Sequence, residues 1–162
     1  METLETPIRF ELDGWALFMA ELEVASEGLN QLPELRDSVT ARVRQTRRME
    51  TLSSDPTVAG LRRLFRGAGC DPTRYRPSSE ALLRRLLKNA EMPAIHPLVD
   101  LNNCLSAELA VPCCVMAEGT FEPPYVLRAG QAGESYDSLR GAFNLEGKPL
   151  LVDALGPCDA PI

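Results

Sequence analysis

Pro77-Ser78-Ser79-Glu80-Ala81-Leu82-Leu83-Arg84-Arg85-Leu86-Leu87-Lys88 reads as an amphipathic helix. Leu82, Leu83, Leu86 and Leu87 cover one side, and Arg84, Arg85 and Lys88 cover the other. Ser78 or Ser79 is the expected N-cap, because a serine hydroxyl can accept from the orphan amides of a first turn. Two more helices precede it. From Pro33 to Met49, Leu35, Val39 and Val43 recur every four residues, with Arg44, Arg47 and Arg48 elsewhere on the wheel. Asp55-Pro56 is a cap followed by a first-turn proline, and the next turns carry Val58, Leu61, Leu64 and Phe65 apart from Arg62, Arg63 and Arg66. Gly67 or Gly69 ends that helix. A fourth is expected from Pro97 to about Leu109, with Leu98, Leu101, Leu105 and Leu109 as its apolar stripe.

Outside this helical middle the chain reads as strands. Residues 8–12 and 16–24 form two short candidates split at Asp13-Gly14, and Cys113–Met116, Tyr125–Ala129 and Pro149–Asp153 follow among Gly and Pro turns. Helices segregated from strands, rather than alternating with them, predict an α+β fold. The 162 residues, 44% hydrophobic and 25% charged, suit one globular domain and exclude collagen-like, disordered and coiled-coil classes. No apolar run approaches the ~20 residues of a membrane span, and Met1-Glu2-Thr3-Leu4-Glu5 is too acidic for a signal peptide, so no membrane partner and a cytoplasmic location are expected. Five cysteines without C-x-x-C spacing point to reduced thiols, and a single histidine, His96, precludes a histidine-rich metal site.

Charge is distributed unevenly. Net charge is −6, yet Arg36 to Lys88 holds 13 of the 17 Lys and Arg against five acids, a net of +8. That polarity admits two readings: solvated faces of arginine-rich helices, or a surface for a polyanion. On the second, Arg62, Arg63, Arg66, Arg84, Arg85 and Lys88 are the candidates for contact with RNA phosphates, positioning a strand without reading its sequence.

Ser78-Ser79-Glu80-Ala81-Leu82-Leu83-Arg84-Arg85, then Pro97-Leu98-Val99-Asp100-Leu101-Asn102-Asn103, then Leu127-Arg128-Ala129 and Gly133-Glu134, resemble the B3/B4 domain. That domain occurs in the β subunit of phenylalanyl-tRNA synthetase and in stand-alone proteins, which share the SSEALLRR segment. The resemblance runs from Asp55 to Pro161, making 55–162 a family-like core behind N-terminal strands and a basic helix in 1–54. It implies a helical segment packed on a β-sandwich-like sheet, and tRNA or aminoacyl-tRNA as partner, with no DNA. In the synthetase the domain hosts a site that hydrolyses tyrosine misattached to the phenylalanine tRNA. The family's Pro-Leu-His run corresponds here to Pro112-Cys113-Cys114, so Cys114 takes the histidine position. The family also continues beyond Gly156-Pro157 with a glutamate and a threonine of the editing pocket, so a form truncated at the C-terminus is expected.

Asn102, Ser106, Cys114, Arg128 and Glu134 are the candidates for an aminoacyl pocket. Asn102 and Ser106 lie four apart beside the leucine stripe, where they either order a pocket or satisfy local backbone. Asp100, beside Pro97, either meets a ligand or fixes the start of the helix. Arg128 and Glu134 flank a Gly-rich turn, as ligand groups or as an ion pair pinning it. Cys114 with His96 makes a weak thiolate pair, since His96 precedes Pro97 as a turn or cap residue. No G-x-S-x-G, Walker loop, GxGxxG or zinc spacing occurs, so no cofactor, no metal and no ATP-dependent ligase chemistry are expected, and no catalytic residue is assigned. The alternatives are an RNA-binding module, an aminoacyl-tRNA ester hydrolase acting in trans, and a non-catalytic module binding a free amino acid or a protein.

Overall fold

The computed structural model describes residues 8–138 and 141–162. Four helices, α1 (Leu32–Thr46), α2 (Pro56–Gly67), α3 (Ser78–Leu87) and α4 (Pro97–Leu109), are followed by the strands β2 (Tyr125–Ala129), β3 (Ser135–Ser138), β4 (Gly141–Asn144), β5 (Pro149–Val152) and β6 (Pro157–Asp159); β1 (Ile8–Phe10) precedes them. The fold is α+β. The chain divides into two compact units: a helical one from Leu22–Arg62 and Arg76–Val115, and a β one from the chain up to Glu21, Arg63–Tyr75 and Met116–Pro161.

In the helical unit, Val39 and Val43 of α1, Leu82, Leu83 and Leu86 of α3, and Cys104 and Ala107 of α4 form one core with Leu52, Val58 and Met92. The Asp55 carboxylate caps α2 as the sequence predicts, accepting from the amides of Thr57 at 3.0 Å and Val58 at 3.3 Å. The N-cap of α3 differs from expectation. Pro77 occupies it, and the fully buried Ser79 instead donates to the Ala110 carbonyl at 3.0 Å. That carbonyl belongs to a residue at φ 58°, in the left-handed turn that ends α4. A backbone group freed by the turn has to find a partner inside the unit, and this requirement claims the serine.

The leucine stripe of α4 is also reversed. Leu101, Leu105 and Leu109 are 38–52% exposed, whereas Asp100, Cys104, Ser106 and Ala107 are buried. Small side chains on the inner face let α4 approach α1 closely, and the polar groups there, which need partners once buried, fix the helix rotation. We expect Leu105→Ala to change stability by less than ~0.5 kcal/mol, and Ala107→Leu to cost about 1–3 kcal/mol by overpacking. Urea unfolding of both variants checks this, and a larger loss for Leu105→Ala would reverse the assignment.

The β unit holds a sheet of order β1-β2-β5-β6, with β1 parallel to β2 and the other pairs antiparallel. Leu127 pairs directly with Leu151, and with Tyr125 they form a core over which Ile8, Trp15, Leu17, Met19 and Phe121 pack. The strand expected over 16–24 is absent. Trp15, Leu17 and Met19 keep the inward alternation, while Phe18 is exposed and no ladder forms along this segment. Cys113–Met116 is likewise not a strand, having no ladder partner. The β3–β4 hairpin, which the sequence reading lacks, places Tyr136 and Phe143 against Leu145, Leu150 and Val152, and so supplies a second β layer. Gly130 is fixed by contact rather than by φ: a Cβ there would lie 2.0 Å from the Leu145 carbonyl oxygen.

Candidate nucleic-acid interface

Six arginines of the helical unit fall into two groups. One is internal. Glu80 on α3 is fully buried and takes a two-pronged contact from Arg62, whose Nε and Nη2 donate to its carboxylate at 2.8 Å each. Arg84, one turn on, donates its Nε to Oε1 at 2.7 Å. Burial pulls the Glu80 pKa up, the hydrogen bonds from both guanidiniums pull it down, and the net is below the usual carboxylate value. Arg36 on α1 meets buried Asp100 on α4 at 3.1 Å. Asp100 also accepts from the Ile95 amide at 2.8 Å, fixing the start of α4, where His96 Nδ1 accepts from the Leu98 amide.

The other group gathers at helix ends. Arg48 Nη1 donates to the carbonyls of Arg44, Gln45 and Arg47 where α1 stops. Arg44 donates to the Leu86 and Ala90 carbonyls at the end of α3, each at 3.1 Å, and Arg47 to the Glu108 carbonyl at the end of α4. Guanidinium donors there bond carbonyls of the last turns and of the residues just past them, and meet the negative end of the helix dipole; the Leu86 carbonyl also accepts from the Asn89 amide at 3.0 Å. Two adjoining shallow depressions open beside the end of α1, one toward the segment that leads into α2 and the other toward the end of α3. One, of about 260 Å³, is lined by Thr46, Arg47, Arg48, Thr51, Leu52, Ser54 and Asp55. The other, of about 240 Å³, is lined by Arg44, Arg47, Arg48, Met49, Glu50, Leu87 and Asn89.

Of the six phosphate-contact candidates, Arg62 and Arg84 hold Glu80, while Arg63, Arg66, Arg85 and Lys88 are exposed. Arg85 Nε donates to the Glu91 carbonyl at 2.8 Å. Sequence reasoning did not place Arg44 and Arg48 among the candidates; their signal was position, since cations in and just past a helix's last turn lie at its exposed C-terminal end.

The five aminoacyl-pocket candidates belong to both units, with Asn102, Ser106 and Cys114 in the helical one and Arg128 and Glu134 in the β one. None of them lines either depression. Asn102 Nδ2 donates to the Cys113 carbonyl at 2.9 Å, and Ser106 Oγ to the Val111 carbonyl at 2.7 Å, so both secure the turn after α4. Cys114 is exposed. Arg128 binds Glu134 through two bonds of 2.8 and 2.6 Å, and Glu134 also accepts from the Gln131 amide, so the pair closes the 129–134 turn.

Among the described residues no cluster of His, Cys, Asp and Glu could hold a metal ion, and no helix is long and apolar enough to cross a membrane.

Two substitutions test these networks. Glu80→Gln leaves two guanidiniums facing a neutral amide, and we expect a loss of about 2–4 kcal/mol in urea unfolding, somewhat below the cost of breaking a fully buried pair because both arginines reach solvent. A loss under ~0.5 kcal/mol would contradict the role assigned to Glu80. Hydrogen bonds from Arg128 push Glu134 down from 4.5 to about 2. A carboxylate whose pKa is depressed on folding stabilises the native state above its unfolded value and loses that contribution as protons bind. Thermal stability therefore falls as pH drops from about 4.5 toward about 2, and Glu134→Gln makes this part of the profile shallower; an unchanged profile would refute the assignment.

A family model described as the B3/4 domain matches residues 60–160. No curated protein and no solved structure matches the chain.

Proposed function

Because the chain belongs to the B3/4 domain family, we propose that it is an RNA-binding module, related to the editing portion of phenylalanyl-tRNA synthetase, that engages tRNA through exposed cations of its helices. The family match over residues 60–160 carries this reading. The +8 net charge between Arg36 and Lys88 supports it, since most of the affinity of such a module comes from neutralising phosphates.

The reading is one of binding without hydrolysis. Attack of water on an aminoacyl ester needs a base or a fixed water beside the ester carbon. The polar groups of Asn102, Ser106, Arg128 and Glu134, the candidates for positioning one, are bonded to their own turns. Free amino acid as the ligand has no feature of its own in its favour.

Fluorescence anisotropy with bulk tRNA between 50 and 200 mM salt tests the proposal. We expect log–log salt dependence, with Arg85→Glu/Lys88→Glu weakening binding and reducing the slope by about 1.5, near 0.7–0.9 per lost phosphate contact. These two residues are exposed and lie outside the Glu80 network; because Arg85 also holds the Glu91 carbonyl at the end of α3, a urea unfolding curve of the variant accompanies the titration, and the binding result is read from the folded protein. Absence of tRNA binding by the unaltered protein would overturn the reading. Labelled Tyr-tRNA incubated with the protein is expected to release no tyrosine above buffer, and release would replace binding with hydrolysis.

A further inference from the structure

We propose that the C-terminal end of α1 carries a groove for two consecutive phosphates of an RNA backbone, with Arg44 and Arg48 as the contacting donors. The inference rests on the RNA-binding reading above and says where the strand is held. Both contacting arginines lie outside the B3/4 match, which begins at residue 60, while Leu87 and Asn89 of the second depression lie within it.

Three observations carry it. First, the two depressions adjoin along Arg47 and Arg48, which line both, so these side chains stand between two neighbouring hollows that a strand crossing the surface would meet in succession. At about 260 and 240 Å³ each is smaller than an ordinary small-molecule pocket, for which ~300–1,000 Å³ is usual. That size suits a backbone segment passing over the surface rather than an enclosed ligand.

Second, the guanidiniums are held in place before any ligand arrives. Arg48 is anchored by Nη1 on three carbonyls, and Arg44 by Nε and Nη2 on the end of α3. Among the described residues, Nε and Nη2 of Arg48 and Nη1 of Arg44 have no partner. Donors already fixed in orientation lose little entropy on binding, and a planar fork matches phosphate oxygens.

Third, the remaining lining fits a sugar–phosphate strand. Thr51 and Ser54 add exposed hydroxyls, groups that commonly contact phosphate and ribose. Two carboxylates also line the track. Asp55 is committed to Arg47 at 3.7 Å and to the α2 amides, which leaves Glu50 as the single opposing charge. Lys88, between Leu87 and Asn89 of the second depression, is exposed beside it.

The test uses the full chain and bulk tRNA. Arg44→Gln/Arg48→Gln is expected to weaken binding on the order of 10-fold at 100 mM salt and to lower the salt slope by about 1.5, whereas Arg44→Lys/Arg48→Lys keeps most of the slope. Unchanged affinity and slope in the folded glutamine variant, with the unaltered protein binding tRNA, would overturn this inference and leave the RNA-binding reading standing. Failure of the unaltered protein to bind tRNA would instead remove that reading, and this one with it. Because both arginines also cap helix ends, hydrogen exchange of the unaltered protein gives a measurement independent of the variants. Slowing of amides 44–54 by tRNA is expected. Protection elsewhere only, or equal protection by polyglutamate, which would mark an acidic-peptide site, overturns the groove.

Discussion

A single buried carboxylate organises the helical unit. Glu80 has no solvent of its own and is tolerable as an anion only because Arg62 and Arg84 both reach it. Arg62 comes from α2 and Arg84 from the next turn of α3, so the charge that must be neutralised ties the start of one helix to the body of another. The same logic recurs where Arg36 meets Asp100 between α1 and α4. Apolar packing supplies most of the driving force for collapse, but it does not dictate how each helix is rotated. The buried ions and hydroxyls do, since each has few acceptable partners.

This division of labour changes the meaning of the basic segment. Its charge excess suggests a uniform cationic surface, yet several of its guanidiniums serve the fold, by neutralising buried acids or by closing helix ends. The exposed cations that are left are fewer, and include Arg63 and Arg66 on α2 and those at the ends of α1 and α3. At the end of α1 a structural role leaves donors over, because Arg48 bonds carbonyls through Nη1 alone and Arg44 through Nε and Nη2.

Much of the architecture is legible in the sequence. The four-residue recurrence of Val39 and Val43, the Asp55-Pro56 cap, the break at Gly67, and Pro97 after a capping His96 correspond to real elements, as do Tyr125–Ala129 and Pro149–Val152. The failures have physical causes. The α4 leucines outnumber the small residues on the helix, so periodicity favours them, but the buried face is set by Asp100 and Ser106, whose partners lie far away in sequence or past the helix end. Residues 16–24 alternate, yet alternation records only which side chains face inward and cannot supply a hydrogen-bonding neighbour. The β3–β4 hairpin eluded the reading because Ser135-Tyr136-Asp137-Ser138 has weak apolar character and takes its place from contacts of Tyr136 with Phe143. At the candidate site, the sequence identifies polar residues near turns but not whether those turns consume their hydrogen bonds. For Asn102, Ser106, Arg128 and Glu134 they do.

The interleaving of the two units has a temporal side. During synthesis every segment of the helical unit through Val115 emerges before β2 does, whereas β1, parallel to β2, must wait for a partner more than a hundred residues downstream. Pairings so distant in sequence form slowly. A nascent chain would thus present a settled helical body while Ile8–Phe10 and the apolar residues of 15–19 still lack the sheet they cover. The apolar surface open to a chaperone in that interval belongs to those residues and not to the arginine-rich helices.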